Sequence, residues 1–225
     1  MRTIGMIVAM DQELAPLLSS LGETELVCEK PYRVTLLRAK TAKVYLLTSG
    51  VGELAAAGAT QFLITALGCD AIWNFGVVGG LTDEMDVNRT VFVEKVVHSA
   101  FDTTAIDPVP RGFYCGREEL YFRASEEFLA QAQAVLPSAS RVTIASADKF
   151  IADPAEKEAL ATEFAADICD MESAGIAVIC ERNQVPFFMV KAVSDSKNDG
   201  AMFHALVKDA CEKFAVSVKA LLSSL

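Results

Sequence analysis

The sequence predicts an α/β fold: a three-layer α/β/α sandwich around a mixed, mostly parallel central sheet. Three observations predict it. Short, continuous apolar runs rich in β-branched residues recur along the chain. Stretches with apolar residues at helical spacing separate them. No repeat, linker or low-complexity segment breaks the alternation, so residues 1–225 read as one domain.

The elements follow in order. "TIGMIVAM" (3–10) is apolar throughout, the pattern of a strand buried on both faces. "YRVTLLRA" and "KVYLLTSG" read as two further strands. "ELAAAGATQFLITALG" (53–68) is an Ala-rich helix with Gly68 as its C-cap. "DAIWNFGVVGGL" is a buried strand ending in a glycine-rich turn, and "TVFVEKVVHSA" (90–100) is another strand. Pro108, Pro110, Gly112 and Gly116 mark a long loop over 101–116. "SEEFLAQAQAVL" is a helix capped by Ser125, and "RVTIASA" a strand. "PAEKEALATEF" is a helix with proline in its first turn. "ADICDM" (strand), "SAGIAVICERN" (helix), "VPFFMVKAVSD" (strand) and a long C-terminal helix complete the chain.

Composition bounds the function. The formal net charge of −10 argues against nucleic-acid backbones and anionic membrane surfaces as partners. The six cysteines form no CxxC pair, and the histidines are only His98 and His204, so a structural zinc site is not expected. The N-terminal apolar stretch is short and then acidic, without a small-residue cleavage site, and no apolar run has the length of a bilayer span. A reduced, cytoplasmic protein is expected.

In parallel sheets ligands bind beyond the carboxyl ends of the strands. At those ends stand Asp11, Gln12 and Glu13 after the first strand, Gly79 and Gly80 after "NFGVV", Glu172 after "ADICDM", and Asp195 after "FFMVKAVS". Each has an ordinary use: acids suit helix starts, Glu172 can precede a Ser173 cap, Asp195 can cap the turn in "SDSKNDG", and glycines permit positive φ. Together they put carboxylates from three strands on one rim. Gathered without basic partners, they would raise one another's pKa, a cost to stability unless a ligand uses them. Their spacing matches no metal loop and no histidine joins them, so neither metal nor cofactor is expected. "GVVGG" is not a dinucleotide fingerprint, and no Walker lysine or GxSxG elbow is present.

The segments "IGMIVAMDQEL" (4–14), "SGVGELAAAGAT" (49–60), "NFGVVGGL" (74–81), "SADKFI" (146–151), "DMESAGIA" (170–177) and "VKAVSD" (190–195), in this order and spacing, carry a resemblance over nearly the whole chain. The chain resembles the 5′-methylthioadenosine/S-adenosylhomocysteine nucleosidases, a branch of the purine nucleoside phosphorylase superfamily. The resemblance implies a nucleoside phosphorylase-like fold and a homodimer acting in methionine salvage. The reaction it implies is hydrolysis of the N-glycosidic bond between adenine and a 5′-thio-substituted ribose. Glu13 matches the acid that activates water. Met171 and Glu172 match the pair that holds the ribose, with Glu172 on its hydroxyls. Asp195, steadied by Ser194, matches the acid that serves the purine N7. Phe150 matches the ring stacked on adenine, and the backbone of Ile151 its edge contact. Met10, Val51 and Gly79 match residues lining the pocket, and Phe203 a further pocket aromatic.

The departures are Val77 and Val78, where the family carries serine and alanine, Lys191 in place of arginine, and the segment 98–114. Lysine keeps the charge but not the planar fork, so the water network near Glu13 is expected to differ. The alternatives are a phosphate-dependent purine nucleoside phosphorylase, or a hydrolase of 5′-deoxyadenosine or aminodeoxyfutalosine. A phosphorylase needs cationic or hydroxyl groups for phosphate, where this chain has acids and valines.

Overall fold

The structure is a computed structural model that describes residues 1–197 and 203–224, without the side chains of 203–209. Its strands are β1 (Arg2–Val8), β2 (Thr24–Cys28), β3 (Val34–Arg38), β4 (Ala42–Thr48), β5 (Ala71–Gly80), β6 (Thr90–His98), β7 (Phe122–Arg123), β8 (Ser140–Ser146), β9 (Ile168–Asp170) and β10 (Phe187–Asp195). Its helices are α1 (Asp11–Ser20), α2 (Glu53–Leu67), α3 (Glu126–Val135), α4 (Pro154–Phe164), α5 (Ser173–Asn183) and α6 (Phe203–Ser223).

The ten strands of the described residues join one mixed sheet, in the order β10-β6-β8-β9-β5-β1-β4-β3-β2, with β7 beside β6. The longest pairings, β1–β4, β5–β10 and β6–β8, are parallel. The α/β prediction holds. Beyond it, β10 also pairs with β5, so β5, β10, β6, β8 and β9 close on themselves into a ring.

Alternation along the strands feeds two cores, one on each face. Met6 and Val8 of β1 join Phe188 and Val190 of β10 in a cluster with Leu14 and Leu17 of α1 and Phe214 and Val218 of α6. Ile7, Phe187 and Met189 face the other way, onto Ala56, Ala59 and Leu63 of α2 and Ile176, Ala177 and Cys180 of α5. Three of the four side chains that α2 buries, Ala56, Ala59 and Thr60, are small, which lets α5 pack closely. A Cβ on Gly175 would overlap the carbonyl of Glu53.

Two sequence expectations need correction. "GVVGG" is not a turn: β5 runs through Gly80, and neither Gly79 nor Gly80 has positive φ. The reason is double pairing, since Gly79 lies between Asp195 of β10 and Cys169 of β9. β2, absent from the sequence reading, pairs antiparallel with β3.

Candidate active site

The strand-end acids separate into two groups. Asp11 is exposed and accepts a hydrogen bond from Thr48 Oγ1 (2.8 Å). The side-chain amide of Gln12 turns to the Met10 sulfur. Glu13, in the same helical turn, is buried. Its Oε2 accepts from Met10 N–H (2.9 Å), which helps cap α1, and its Oε1 accepts from Val77 N–H on β5 (2.9 Å). The ordinary helix-start role of this acid is therefore real, and it is combined with a reach across to the ring. A Cβ on Gly76 would stand 3.0 Å from Glu13 Oε1, so the small residue makes room for the carboxylate.

Glu172 occupies the N-cap position of α5 but makes no side-chain cap bond. Asp170 takes that work, accepting from Ser173 N–H (3.2 Å) and Ser173 Oγ–H (2.6 Å). The Glu172 carboxylate is free to cross to the start of α2, where Gly52 N–H donates to its Oε1 (2.9 Å). Gly52 has φ +104°, a left-handed conformation that favours glycine and aims this N–H inward. Asp195 ends β10 fully buried, with Ser194 Oγ–H donating to its Oδ1 (2.9 Å).

The expectation that these acids lack basic partners fails for Asp195; among the described residues Glu13 and Glu172 make no ion pair, and the second buried lysine pairs with Asp170. Lys191 of β10 pairs with Asp170 (2.8 Å) and Lys157 of α4 pairs with Asp195 (2.7 Å), all four side chains almost completely inaccessible. Lys191 thus acts first on Asp170, not on Glu13. Burial pushes Asp170 up, but the charge and hydrogen bond of Lys191, with hydroxyl bonds from Ser173 and Ser146, hold it below the ordinary carboxylate range. Glu13 goes the other way: burial raises it, and the Val77 and Met10 N–H groups offset only part. Glu172 is pushed up to about 7 by burial and then by the neighbouring Asp170 charge, against the pull of Lys191 and the Gly52 N–H.

These residues enclose a cavity of about 170 Å³ lined by Met10, Glu13, Val51, Gly79, Phe150, Met171, Glu172, Ser194 and Asp195, together with Ala9, Val77, Val78, Cys169 and Asp170. Among the described residues its charged lining is entirely carboxylate. Val51 and the Phe150 ring are about half exposed. Ile151 lies behind the cavity, packed with Leu81, Val97 and Ala145. The side chain of Phe203 lies outside the described residues. A larger groove of about 870 Å³ runs between α1 and β2–β4; it takes Asp11 and Arg33 but none of the gathered acids.

Sequence reasoning missed Lys157, Asp170 as a partner, and Gly52. Lys157 shares the buried stripe of α4 with Leu160 and Phe164, a spacing of three and seven. A lysine at an inward helical position was the available signal.

A ring of strands carrying acids from three different segments into one cavity defines a family of proteins rather than a common sandwich. A family model of the phosphorylase superfamily matches residues 3–225, and the chain belongs to that superfamily. Within it the chain is similar to the 5′-methylthioadenosine/S-adenosylhomocysteine nucleosidase of Shewanella pealeana, 30% identical over 99% of each chain. It is also similar to the aminodeoxyfutalosine nucleosidase of Campylobacter jejuni, 28% identical over 90% of each. Among solved structures, the S-adenosylhomocysteine nucleosidase of Streptococcus pyogenes in complex with 5-methylthiotubericidin superposes with a TM-score of 0.91. That match is 26% identical and covers 100% of this chain and 97% of the other.

Proposed function

We propose that the protein hydrolyses the N-glycosidic bond of a 5′-substituted adenine nucleoside and releases adenine. The observation that carries this reading is the lining of the cavity: among the described residues its charged groups are Glu13, Asp170, Glu172 and Asp195. Both buried lysines stand behind, each engaged by an aspartate. Such a cavity favours a cationic, oxocarbenium-like sugar and repels phosphate, which argues for water over phosphate as nucleophile.

In this reading Glu13, buried and raised, takes the proton of the attacking water. Glu172 orients the ribose hydroxyls beside Met171 and, as the anion, stabilises the positive sugar. Asp195, steadied by Ser194, gives a proton to the purine N7 as the bond breaks. Phe150 stacks on the base and the Ile151 backbone meets its edge. Met10 and Val51 line the sugar and 5′ region, and Gly79 lies beside Asp195. The names of the relatives support both 5′-thio-nucleosides and aminodeoxyfutalosine as substrates.

The exposed apolar side chains of Val51 and Leu54, at the start of α2, and of Ile106, in the long loop, support a homodimer. Among the described residues no helix is long and apolar enough to cross a membrane; the likeness to the methylthioadenosine/S-adenosylhomocysteine nucleosidases is what supports a cytoplasmic enzyme of methionine salvage. Incubation without phosphate with 5′-methylthioadenosine, S-adenosylhomocysteine, 5′-deoxyadenosine and 6-amino-6-deoxyfutalosine, scored by base release, tests the reaction and ranks the substrates. Strict dependence on phosphate, with a sugar 1-phosphate product, would move the protein to the phosphorylases. Sedimentation showing a fully active monomer would remove the dimer.

A further inference from the structure

Lys157 has no part in the reaction as described so far, yet its position is costly. It is completely buried on a helix that otherwise turns Glu156, Glu158 and Glu163 away from the core. An ammonium taken out of water is tolerated only when it is paired and hydrogen-bonded. Lys157 Nζ–H donates to Asp195 Oδ2 (2.7 Å) and to the carbonyl of Ser196 (2.8 Å). With Ser194 on Oδ1, each oxygen of Asp195 has one anchor. The surroundings are built for this pair: a Cβ on Gly79 would lie 3.2 Å from Asp195 Oδ2, 3.6 Å from Lys157 Nζ and 3.1 Å from the Cys169 sulfur. An apolar side chain at 157 would complete the stripe of Leu160 and Phe164 equally well, so packing does not account for a lysine.

Resting on the reading of Asp195 as the acid for the departing base, we propose that Lys157 is a positioning residue for base departure. It fixes the carboxylate of Asp195 and balances the negative charge left there once the proton has gone. The C1′–N9 bond breaks with its electron pair going to the purine. Asp195, a carboxylate in the resting pair, takes up a proton from solvent as the nucleoside binds; that proton passes to the ring nitrogen, the water oxygen bonds to C1′, and Glu13 takes the water's proton. The carboxylate that remains on Asp195 lies against the Lys157 ammonium, while Ser194 and the strand end stay in place.

The test compares wild type, Lys157→Met, Asp195→Asn and the double variant on 5′-methylthioadenosine and on 4-nitrophenyl 5-methylthioriboside, whose leaving group needs no proton. Lys157→Met is expected to lower kcat for the nucleoside by roughly 10²-fold, with KM within about threefold and the activated riboside within a few-fold. The double variant is expected to be no worse than Asp195→Asn alone, because both act on one step. If the Met variant does not fold, Lys157→Gln, which keeps a donor, is compared on the same two substrates. Equal losses on both substrates, unchanged kcat, or a double loss equal to the product of the singles would overturn the role of Lys157. Adenine release by wild type with any of these outcomes leaves the proposed reaction standing. No release by wild type overturns that reading and the role of Lys157 with it.

Discussion

Glu172 should make the protein less stable as pH rises from about 4.5 to about 7, and Glu172→Gln should remove that loss. In the folded protein the carboxyl is pushed from an ordinary 4.5 up to about 7, by burial first and the Asp170 charge second. Below pH 4.5 both folded and unfolded chains hold the proton and the group contributes nothing. Between 4.5 and 7 the unfolded chain has lost the proton while the folded one keeps it, so each rise in pH favours unfolding. Above 7 the penalty is complete, on the order of 3 kcal/mol. Glutamine mimics the protonated acid and keeps an oxygen for the Gly52 N–H. At pH 5 the variant should therefore melt close to wild type. At pH 8 it should melt higher by roughly 6–12 °C, at about 2–4 °C per kcal/mol for a chain of this size. Thermal melts of both proteins from pH 5 to pH 8 give the difference directly, and contributions from Glu13 and the other acids largely cancel in it. A difference in Tm that does not change with pH would refute the argument. The same variant should turn over poorly, since the anion that weakens the fold is the charge assigned to the sugar.

Three other substitutions probe the site. Glu13→Gln should lower turnover by roughly 10²–10⁴-fold while leaving substrate affinity nearly intact; steady-state kinetics showing a loss in KM alone would reject Glu13 as the base for water. Lys191→Met should cost roughly 3–5 kcal/mol in denaturant melts because it strands the buried Asp170 charge, and adding Asp170→Asn should recover most of it; no recovery would mean that Lys191 is held by packing. Gly79→Ala should cost about 1–3 kcal/mol and reduce adenine release, since its Cβ crowds the Lys157–Asp195 pair; a fully active, fully stable variant would show that the pair can shift freely.

The helices and buried strands were legible because their cores are patterned. The Ala-rich face of α2, its Gly68 end in left-handed conformation, the Ser125 and Asp153 caps and the apolar β1 and β10 are all local signals. β2 was not legible, because its residues are almost all exposed and show no two-residue alternation. Ring closure was not legible either: it rests on pairings between β10 and strands more than 90 residues earlier. At the site the rim of acids could be read from the strand ends, and the cavity gathers Glu13, Glu172 and Asp195. Their partners were harder to read. Lys157 lies among acids on α4, and only its spacing to Leu160 and Phe164 points it inward, while Lys191 and Asp170 meet only because β10 and β9 flank the same end of β5.

The closed circle of strands also limits how the molecule can admit its ligand. A strand at a sheet edge can peel away by losing one ladder, but β5, β10, β6, β8 and β9 are each held by at least two. Asp195 ends one of these strands and Glu172 follows another, while Glu13 is fastened to the same circle through Val77. No single strand can withdraw an acid without breaking the others. Entry and exit are therefore left to the parts outside the circle: the turn before α2 with Val51 and the segment bearing Phe150, both half exposed. The amides of the circle should be the slowest in the protein to exchange with solvent and should stay so whether a nucleoside is bound or not, while those of the rim should exchange faster.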